Sequence, residues 1–267
     1  RSLFGKLLYE GYHEEEYVWQ STGWSDDFEP KFSLAPLIYG TLKGTFYALL
    51  FAIPIALLAA LYTSQFMHPR HKDIVKPTIE IMAGLPSIVL GFFAALWLAP
   101  KVEKVLPGLV ISPFILVMMV SLTFFAYQYL PVSLKKNRKP GSEILILIFL
   151  LIIVGVVSVY MGDILESSLL GGDYRVWLKE KLNIAYDQRN SLVVGLAMGF
   201  AVIPIIFTIS EDSLSNVPPH LSAASLALGA TRWQTAIKVI LPTASPGIFS
   251  AIMIGFGRAV GETMIVL

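Results

Sequence analysis

Two charged side chains in an otherwise apolar run are the residues of this chain best suited to chemistry. Arg258 and Glu262 are four residues apart, which puts them on one face if the run is helical. An arginine near the bilayer centre costs about 2.5–3.5 kcal/mol on insertion scales, so it needs a partner or a task. The pair could simply neutralise itself. Alternatively, Arg258 could offer its fork of donors to an oxyanion while Glu262 restrains it, and both interpretations can hold at once.

Motifs for enzyme chemistry do not occur in the sequence. There is no His-Glu-x-x-His, no Gly-x-Ser-x-Gly and no cysteine, so an intramembrane enzyme would lack a recognisable catalytic constellation. There is also no Gly-x-x-x-x-Gly-Lys-Ser/Thr loop, so any ATP has to be bound by a partner chain. We therefore expect no catalytic residue, no metal site and no cofactor.

The composition indicates lipid as the solvent. Of 267 residues, 55% are hydrophobic and only 15% are charged, and the mean hydropathy is +0.67. Soluble domains carry about a quarter charged residues. The net charge of +1 provides no field that would attract nucleic acid. The lipid bilayer, and no nucleic acid, is the environment that we expect.

Six apolar runs are long enough to cross a membrane as helices, since a crossing takes roughly 20 residues. They lie at about 40–62, 79–98, 109–130, 144–161, 192–209 and 244–267. Three glycine pairs with four-residue spacing would let helices approach closely: Gly40 and Gly44, Gly195 and Gly199, Gly257 and Gly261. The expected fold is all-α, with a polytopic bundle over residues 34–267 that follows an extracytoplasmic segment over residues 1–33.

The positions of lysine and arginine in short loops predict the orientation. Loops 65–76 and 131–142 are basic, and six helices place both on the same side as loop 210–243. We assign that side to the cytoplasm, which leaves 100–108 and 162–190 outside with the N-terminal segment. The outer stretch 163–190 mixes charges with Trp177 and Leu178, which is typical of a short interfacial helix.

Loop 210–243 has the pattern of two short helices. Pro218-Pro219 is a helix start signal, and Gly229 interrupts the apolar spacing that follows. A second amphipathic turn, Trp233–Ile240, ends at Pro242. We therefore predict a bend at Gly229. A plain amphipathic connector at the membrane surface is the alternative.

The stretch HLSAASLALGATRWQTAIKVILP within this loop resembles the signature of ABC importer permeases. That signature reads Glu-Ala-Ala, three residues, Gly, nine residues, Ile, one residue, Leu-Pro. The matching positions are Ala223, Ala224, Ser225, Gly229, Val239, Leu241 and Pro242. Ala223 stands where the family has Glu, which puts an ion pair there in doubt but keeps the hydrophobic face. The resemblance implies that the loop couples to a cytoplasmic ATPase.

Flanking blocks resemble the permeases of phosphate importers more narrowly. They are GTLKGTF (40–46), KPTIEIMAGLPSIVLG (76–91), ISEDSL (209–214), LALGATRW (226–233) and GRAVGETMIVL (257–267). The resemblance covers roughly 40–98 and 192–267. Two extra helices over 109–160 resemble an enlarged subtype with a long extracytoplasmic N-terminal region. A membrane anchor before Arg1 and a further helix after Leu267 are therefore expected.

The resemblance implies a multi-pass permease of the bacterial inner membrane with the type I, MetI-like fold. It would form half of the translocation pathway for inorganic phosphate, with Arg258 and Glu262 in that pathway. The implied partners are an ABC ATPase dimer, a second homologous permease subunit and an extracytoplasmic phosphate-binding protein. Another oxyanion such as sulfate stays open as the substrate. A non-ABC channel or secondary transporter stays open too, although it leaves the two-helix loop unexplained.

Overall fold

Helices make up most of the chain. The computed structural model describes residues 3–9, 13–20, 31–129, 142–183, 186–188 and 190–262. Within these residues the strands are limited to one antiparallel ribbon, in which β1 (Trp19–Gln20) pairs with β2 (Lys31–Phe32). The chain divides into two units, residues 1–94 with 191–267 and residues 95–190. The expected all-α class is confirmed.

Ten helices are described here in chain order. They are α1 (Ala35–Gln65), α2 (Pro69–Ala83), α3 (Ser87–Phe93), α4 (Ala99–Tyr129), α5 (Ser142–Leu169), α6 (Tyr174–Leu182), α7 (Ser191–Ser215), α8 (Pro219–Ala227), α9 (Arg232–Thr235) and α10 (Leu241–Gly261). Turns of π-helix, Ala94–Leu98 and Ala236–Ile240, join α3 to α4 and α9 to α10. Five helical runs in the described residues are long and apolar enough to cross a membrane: Ala35–Gln65, Ser87–Thr123, Ile148–Leu169, Ser191–Ser215 and Arg232–Gly261.

Small residues bring α1 and α7 together in the first unit. A stripe on α1 has no exposed surface and consists of Ala48, Ala52, Ala56 and Ala60. A Cβ on Gly195 of α7 would lie 2.5 Å from the Cβ of Tyr47, and one on Gly199 would lie 3.2 Å from the Ala48 carbonyl oxygen. The predicted close approach at Gly195 and Gly199 is confirmed, because only glycine leaves room for the other backbone.

Helices α1 and α7 run in the same direction. Gly199 lies against Ala48, and the side-chain amide of Gln65, the last residue of α1, donates to the carbonyl of Leu214 at 3.4 Å. Leu214 lies in the last turn of α7. The chain therefore leaves both helices at the same end of the unit, which agrees with the predicted placement of loops 65–76 and 210–243 on one side.

Helix α10 packs on α7 through two further glycines. A Cβ on Gly255 would lie 2.6 Å from Cγ1 of Ile206, and one on Gly247 would overlap the side chain of Ser213. The glycine pair predicted on this helix behaves differently. Neither Gly257 nor Gly261 has a described atom within 4 Å of an added Cβ, so this part of α10 presents an open face.

The second predicted membrane helix, 79–98, begins later than expected. Residues 79–83 belong to α2, which has no fully buried residue, and α3 begins only at Ser87. Pro86 is the physical reason, because a proline disfavours the helical conformation at the residue before it. The predicted helix 79–98 therefore breaks between Ala83 and Ser87.

Residues 100–108, the expected outer loop, are helical. They belong to α4, and α3, the π-turn and α4 form one helical run that contains Pro107 and Pro113. The prediction separated two helices here because charged residues interrupt the apolar pattern. A helix carries such residues at its surface, and Lys101 and Lys104 are exposed.

Glycines also set the main contact of the second unit. A Cβ on Gly108 of α4 would lie 2.5 Å from the Ser158 carbonyl oxygen, and one on Gly162 of α5 would lie 2.5 Å from the Gly108 nitrogen. Helix α6 supplies the short helix expected within 163–190, although α5 continues through Leu169 before it. The Arg175 guanidinium donates to Glu103 Oε1 at 2.6 Å and also pairs with Asp173. Polar contacts thus link α6 to the start of α4.

The remaining expected boundaries shift at their ends. Run 144–161 lies inside α5 and run 192–209 inside α7. The last helix begins before residue 244 and ends at Gly261, and residues 263–267 lie outside the described part. Most of the basic loop 131–142 also lies outside it. In the N-terminal segment, the Leu34 amide donates to the Leu3 carbonyl at 2.8 Å, which ties that segment to the start of α1.

Candidate functional site

Loop 210–243 folds as two short helices with a bend at Gly229. Helix α8 ends at Ala227, and the Ala230 amide returns to the Ser225 carbonyl at 3.2 Å. Gly229 has φ +87°, a conformation that costs other residues roughly 1–2 kcal/mol. Thr231 then caps α9, because its hydroxyl accepts from the backbone N–H of Gln234 at 3.2 Å. The predicted bend is confirmed.

The second short helix does not end at Pro242 as predicted. The π-turn Ala236–Ile240 leads directly into α10, and Pro242 lies in the first turn of that helix. A proline is tolerated at this position because the first amides of a helix have no intrahelical partner. Val239, Leu241 and Pro242 therefore belong to the junction with the membrane helix, with Val239 and Leu241 half-buried and Pro242 exposed.

The bend exposes an apolar surface, which we name the loop tip: Ala223, Ala224, Leu226 and Leu228. All four are exposed, and Leu228 at the end of α8 is 90% exposed. Ser225 turns inward instead, and its hydroxyl lies 2.9 Å from that of Thr235. This hydrogen bond joins α8 to the start of the second helical segment. Of the signature positions, Ala223 and Ala224 therefore face outward, whereas Ser225 faces inward and forms a hydrogen bond.

A charged cluster lies at the base of the loop, where α2 meets the last turn of α7. We name it the α2–α7 cluster: Lys72, Lys76, Glu211, Asp212 and Ser215. The Glu211 carboxylate has no exposed surface and pairs with Lys72 Nζ at 2.5 Å and Lys76 Nζ at 3.0 Å. It also accepts from the Ser215 hydroxyl at 2.6 Å. Lys76 further pairs with Asp212 at 2.6 Å, so hydrogen bonds to Asp212 and Glu211 raise the pKa of Lys76 above its ordinary value.

Sequence reasoning did not assign a task to this cluster. It used Lys72 and Lys76 only as loop charges that indicate orientation. A local signal existed, because Lys72 and Lys76 are one helical turn apart and so are Glu211 and Ser215. The sequence gives no sign that this turn of α2 contacts this turn of α7, because residues such as Lys76 and Asp212 are 136 positions apart.

The predicted pathway residues lie at the end of α10. Arg258 is in the last helical turn and exposed, on the part of the helix where Gly257 has open space around it. Glu262 is half-buried and no longer helical, with φ −81° and ψ 110°. The assumption that both residues continue on one helix face therefore fails for Glu262, because α10 ends at Gly261. The Arg258 side chain lies on an exposed face of α10, where a partner subunit could contact it.

One cavity beside this helix is apolar. Its volume is about 560 Å³, and it is lined by residues of α1 and by Phe256. The lining residues on α1 include Leu42, Leu49 and Ile53. Such a surface offers few donors to an anion. Among the described residues at the end of α10, Arg258 carries a guanidinium, whose paired donors suit an oxyanion.

Comparisons with known proteins agree with this architecture. The family described as "Binding-protein-dependent transport system inner membrane component" matches residues 52–267. The chain is 25% identical over 247 residues to the probable ABC transporter permease protein YqgH of Bacillus subtilis, covering 92% of this chain and 55% of that protein. It is 28% identical over 231 residues to the phosphate transport system permease protein PstC 1 of Mycobacterium tuberculosis, covering 86% and 51%.

A further relative is the phosphate transport system permease protein PstC of Mesorhizobium japonicum, 24% identical over 246 residues, with coverage of 92% and 57%. The chain spans about half the length of the curated relatives it matches. The family match begins inside α1 and includes every later helix. This multi-pass inner-membrane chain, with its type I permease fold, therefore belongs to the family of binding-protein-dependent transport system inner membrane components.

Proposed function

We propose that this chain is the transmembrane permease subunit of an ATP-driven importer and forms half of its pathway for inorganic phosphate. The observation that carries the proposal is the bent two-helix loop between membrane helices α7 and α10. It presents an apolar tip away from the bundle. A channel or secondary transporter gains nothing from such a loop, whereas an importer needs a contact through which an ATPase can act.

The loop tip has the chemistry of a docking element. Leu228 is 90% exposed and Leu226 is 44% exposed, while Trp233 beyond the bend is 56% exposed. Burying one leucine side chain stabilises a complex by roughly 1.5–3 kcal/mol. A groove in each subunit of an ATPase dimer would cover this tip. ATP hydrolysis then belongs to that partner, and the permease has no enzymatic role of its own.

Arg258 is the residue that we assign to the anion. Two relatives carry the name phosphate transport system permease protein, and a guanidinium binds phosphate oxygens with paired donors. A second, homologous permease subunit would cover the open face of α10 and place Arg258 at the shared pathway. Glu262 would restrain Arg258, because conduction requires binding weak enough for release. An extracytoplasmic phosphate-binding protein would deliver the substrate.

Reconstitution tests the proposal. The complete permease is placed in lipid vesicles with its permease partner and ATPase subunits, and uptake of labelled phosphate is measured with the binding protein present. We expect uptake that needs both ATP and the ATPase subunits and that persists in excess sulfate. Equal competition by sulfate would mean that the substrate is a broader class of oxyanions and not phosphate alone. Uptake without the ATPase would identify a channel or a secondary transporter.

A further inference from the structure

The α2–α7 cluster has no part in the proposed docking or anion binding. It nevertheless connects α2 to the final turn of α7, next to the loop that the ATPase would move. We propose that Glu211 is a positioning residue that locks α2 to the base of loop 210–243, so that both move as one body during transport. This inference rests on the proposed function, because it concerns how movement of the loop reaches the membrane helices.

Helix α2 buries little of its surface. None of its 15 residues is fully buried, and Ile74 and Ile81 are exposed at 64% and 74%. Its main packing partner in the first unit is the end of α7. Since no residue of α2 is fully buried, the ion pairs of the cluster have a large share among the described contacts that fix α2 to α7.

The two helices match each other over one turn. On α2, Lys72 and Lys76 are four residues apart, and on α7 Glu211 and Ser215 have the same spacing. Lys72 Nζ reaches Glu211 at 2.5 Å and donates to the Ser215 hydroxyl at 3.0 Å. Lys76 Nζ bridges Glu211 at 3.0 Å and Asp212 at 2.6 Å. Each lysine thus makes two contacts with α7, and together these contacts oppose rotation or sliding of α2 along α7.

Burial makes Glu211 the centre of the cluster. Its side chain has no exposed surface, whereas both lysines are 30% exposed and Asp212 is 52% exposed. A buried carboxylate is stable only when cations and donors compensate it. Two ammonium groups and two carboxylates balance in charge, and the lysines also lie at the negative end of the α7 dipole. Opening the cluster would leave Glu211 without its partners, so the closed state is strongly preferred.

The position of the cluster determines what it can transmit. Ser215 is the last residue of α7 and Pro219 the first of α8, and the link between them includes Pro218. This link is short and stiff, because proline restricts its own backbone and that of its neighbour. A polar cavity of about 280 Å³ lies beside it, lined in part by Gln65, Lys72 and Ser222. Displacement of α8 would therefore reach α2 through the contacts of Glu211 and Ser215.

The first test replaces the carboxylate. In Glu211→Gln, the side chain keeps its size but loses its charge, so Lys72 and Lys76 lose the buried carboxylate that they share. Of the described ion pairs between α2 and α7, only the partly exposed Lys76–Asp212 pair is then left. We expect the ATP hydrolysed per phosphate transported to rise at least about fivefold, a coupling loss of ordinary size. The matched control is Glu103→Gln, which removes a carboxylate of the second unit that pairs with Arg175 at 2.6 Å. The control should keep the wild-type ratio.

The second test restores the connection by other means. The chain has no cysteine, so Lys72→Cys and Ser215→Cys can be added to Glu211→Gln and joined by a short bifunctional thiol reagent. With cysteine-free partner subunits, the cross-link should return the ATP-to-phosphate ratio toward wild type. A role in stability alone would change the amount of assembled complex but not this ratio.

The outcomes separate this inference from the proposed function. A wild-type complex that takes up no phosphate refutes the proposed function. If wild type transports, a normal ratio in Glu211→Gln overturns the positioning role, and so does a ratio that the cross-link leaves unrestored. Should Glu211→Gln fail to assemble, Lys76→Gln replaces it, since this partly exposed lysine leaves Glu211 paired with Lys72. A raised ratio in Lys76→Gln supports the inference, and an unchanged ratio overturns it.

Discussion

The side chains of Glu211 and Arg258 illustrate opposite uses of charge in a membrane protein. Glu211 has no exposed surface and is compensated by Lys72 and Lys76. Arg258 is exposed at the end of α10, beside a glycine with open space around it. A compensated charge fixes structure, whereas a charge on an open face is available to another molecule. This contrast supports a structural task for Glu211 and a substrate task for Arg258.

The substrate task of Arg258 can be tested by removing its charge together with that of Glu262. The double change Arg258→Gln and Glu262→Gln removes both charges, so it should leave assembly with the ATPase intact. We expect phosphate uptake per assembled complex to fall about 10- to 100-fold, the range for loss of a hydrogen bond to a charged group. Arg258→Lys should retain part of the activity, because it keeps the charge without the fork of donors. Near wild-type uptake by the double variant would leave Arg258 and Glu262 as structural residues.

Among the elements, loop 210–243 depends on one backbone conformation. Gly229 has φ +87°, and no described atom lies within 4 Å of an added Cβ. Side-chain size is therefore not the obstacle to substitution there. Backbone strain is, because most residues avoid this conformation while asparagine tolerates it. A residue that avoids this conformation, such as leucine, would straighten the bend and misplace the loop tip.

Two substitutions at Gly229 separate strain from size. Gly229→Leu should insert and assemble but uncouple ATP hydrolysis from transport, because the loop lies outside the bilayer and its shape is altered. Gly229→Asn should keep most of the coupling. Measurement of ATP hydrolysis and phosphate uptake on the same vesicles checks both. Normal transport by Gly229→Leu would mean that the loop is only a connector.

Packing of α1 on α7 gives a second test at the level of elements. Gly195→Ala would place a Cβ 2.5 Å from that of Tyr47, and overpacking of this kind costs typically 1–3 kcal/mol. We expect a lower midpoint temperature for thermal unfolding of the purified protein. Gly40→Ala on α1 is the matched control, because nothing described lies within 4 Å there. Equal midpoints for the two variants would contradict the close contact.

At the scale of the whole molecule, the parallel course of α1 and α7 restricts the topology. Gln65 at the end of α1 contacts Leu214 near the end of α7, so both helices leave the bilayer on one side. An odd number of crossings must then lie between them. The six-helix scheme supplies three, whereas five spans judged by length and composition supply two. The topology of the helical run Ser87–Thr123 decides between these numbers.

Single cysteines test the topology directly. We expect Ser133→Cys and Asn216→Cys to resist an impermeant thiol reagent in intact cells, and Lys101→Cys to react with it. The reason is that the six-helix scheme puts the first two positions in the cytoplasm and the third outside. Reaction after permeabilisation serves as the control for each site. Labelling of Ser133→Cys or Asn216→Cys in intact cells would refute the scheme.

The amino-acid sequence by itself determined the features that depend on local pattern. The length of apolar runs predicted membrane helices, because a crossing has a fixed thickness. Gly229 predicted the bend, since few other residues adopt its conformation without strain. The four-residue spacing of Gly195 and Gly199 predicted a close helix contact. The break at Pro86 was also local, but the apolar pattern on both sides of it concealed the end of α2.

Only the tertiary structure decided the contacts between distant residues. Lys76 and Asp212 are 136 residues apart, and each alone has the pattern of an ordinary surface charge. The contact between Gly108 and Gly162 and the open face beside Arg258 could not be predicted from the sequence either. Periodicity reports which face of a helix is apolar, but not which helix covers it. Partners are chosen by shape and charge across the bundle, and this information exists only once the chain is folded.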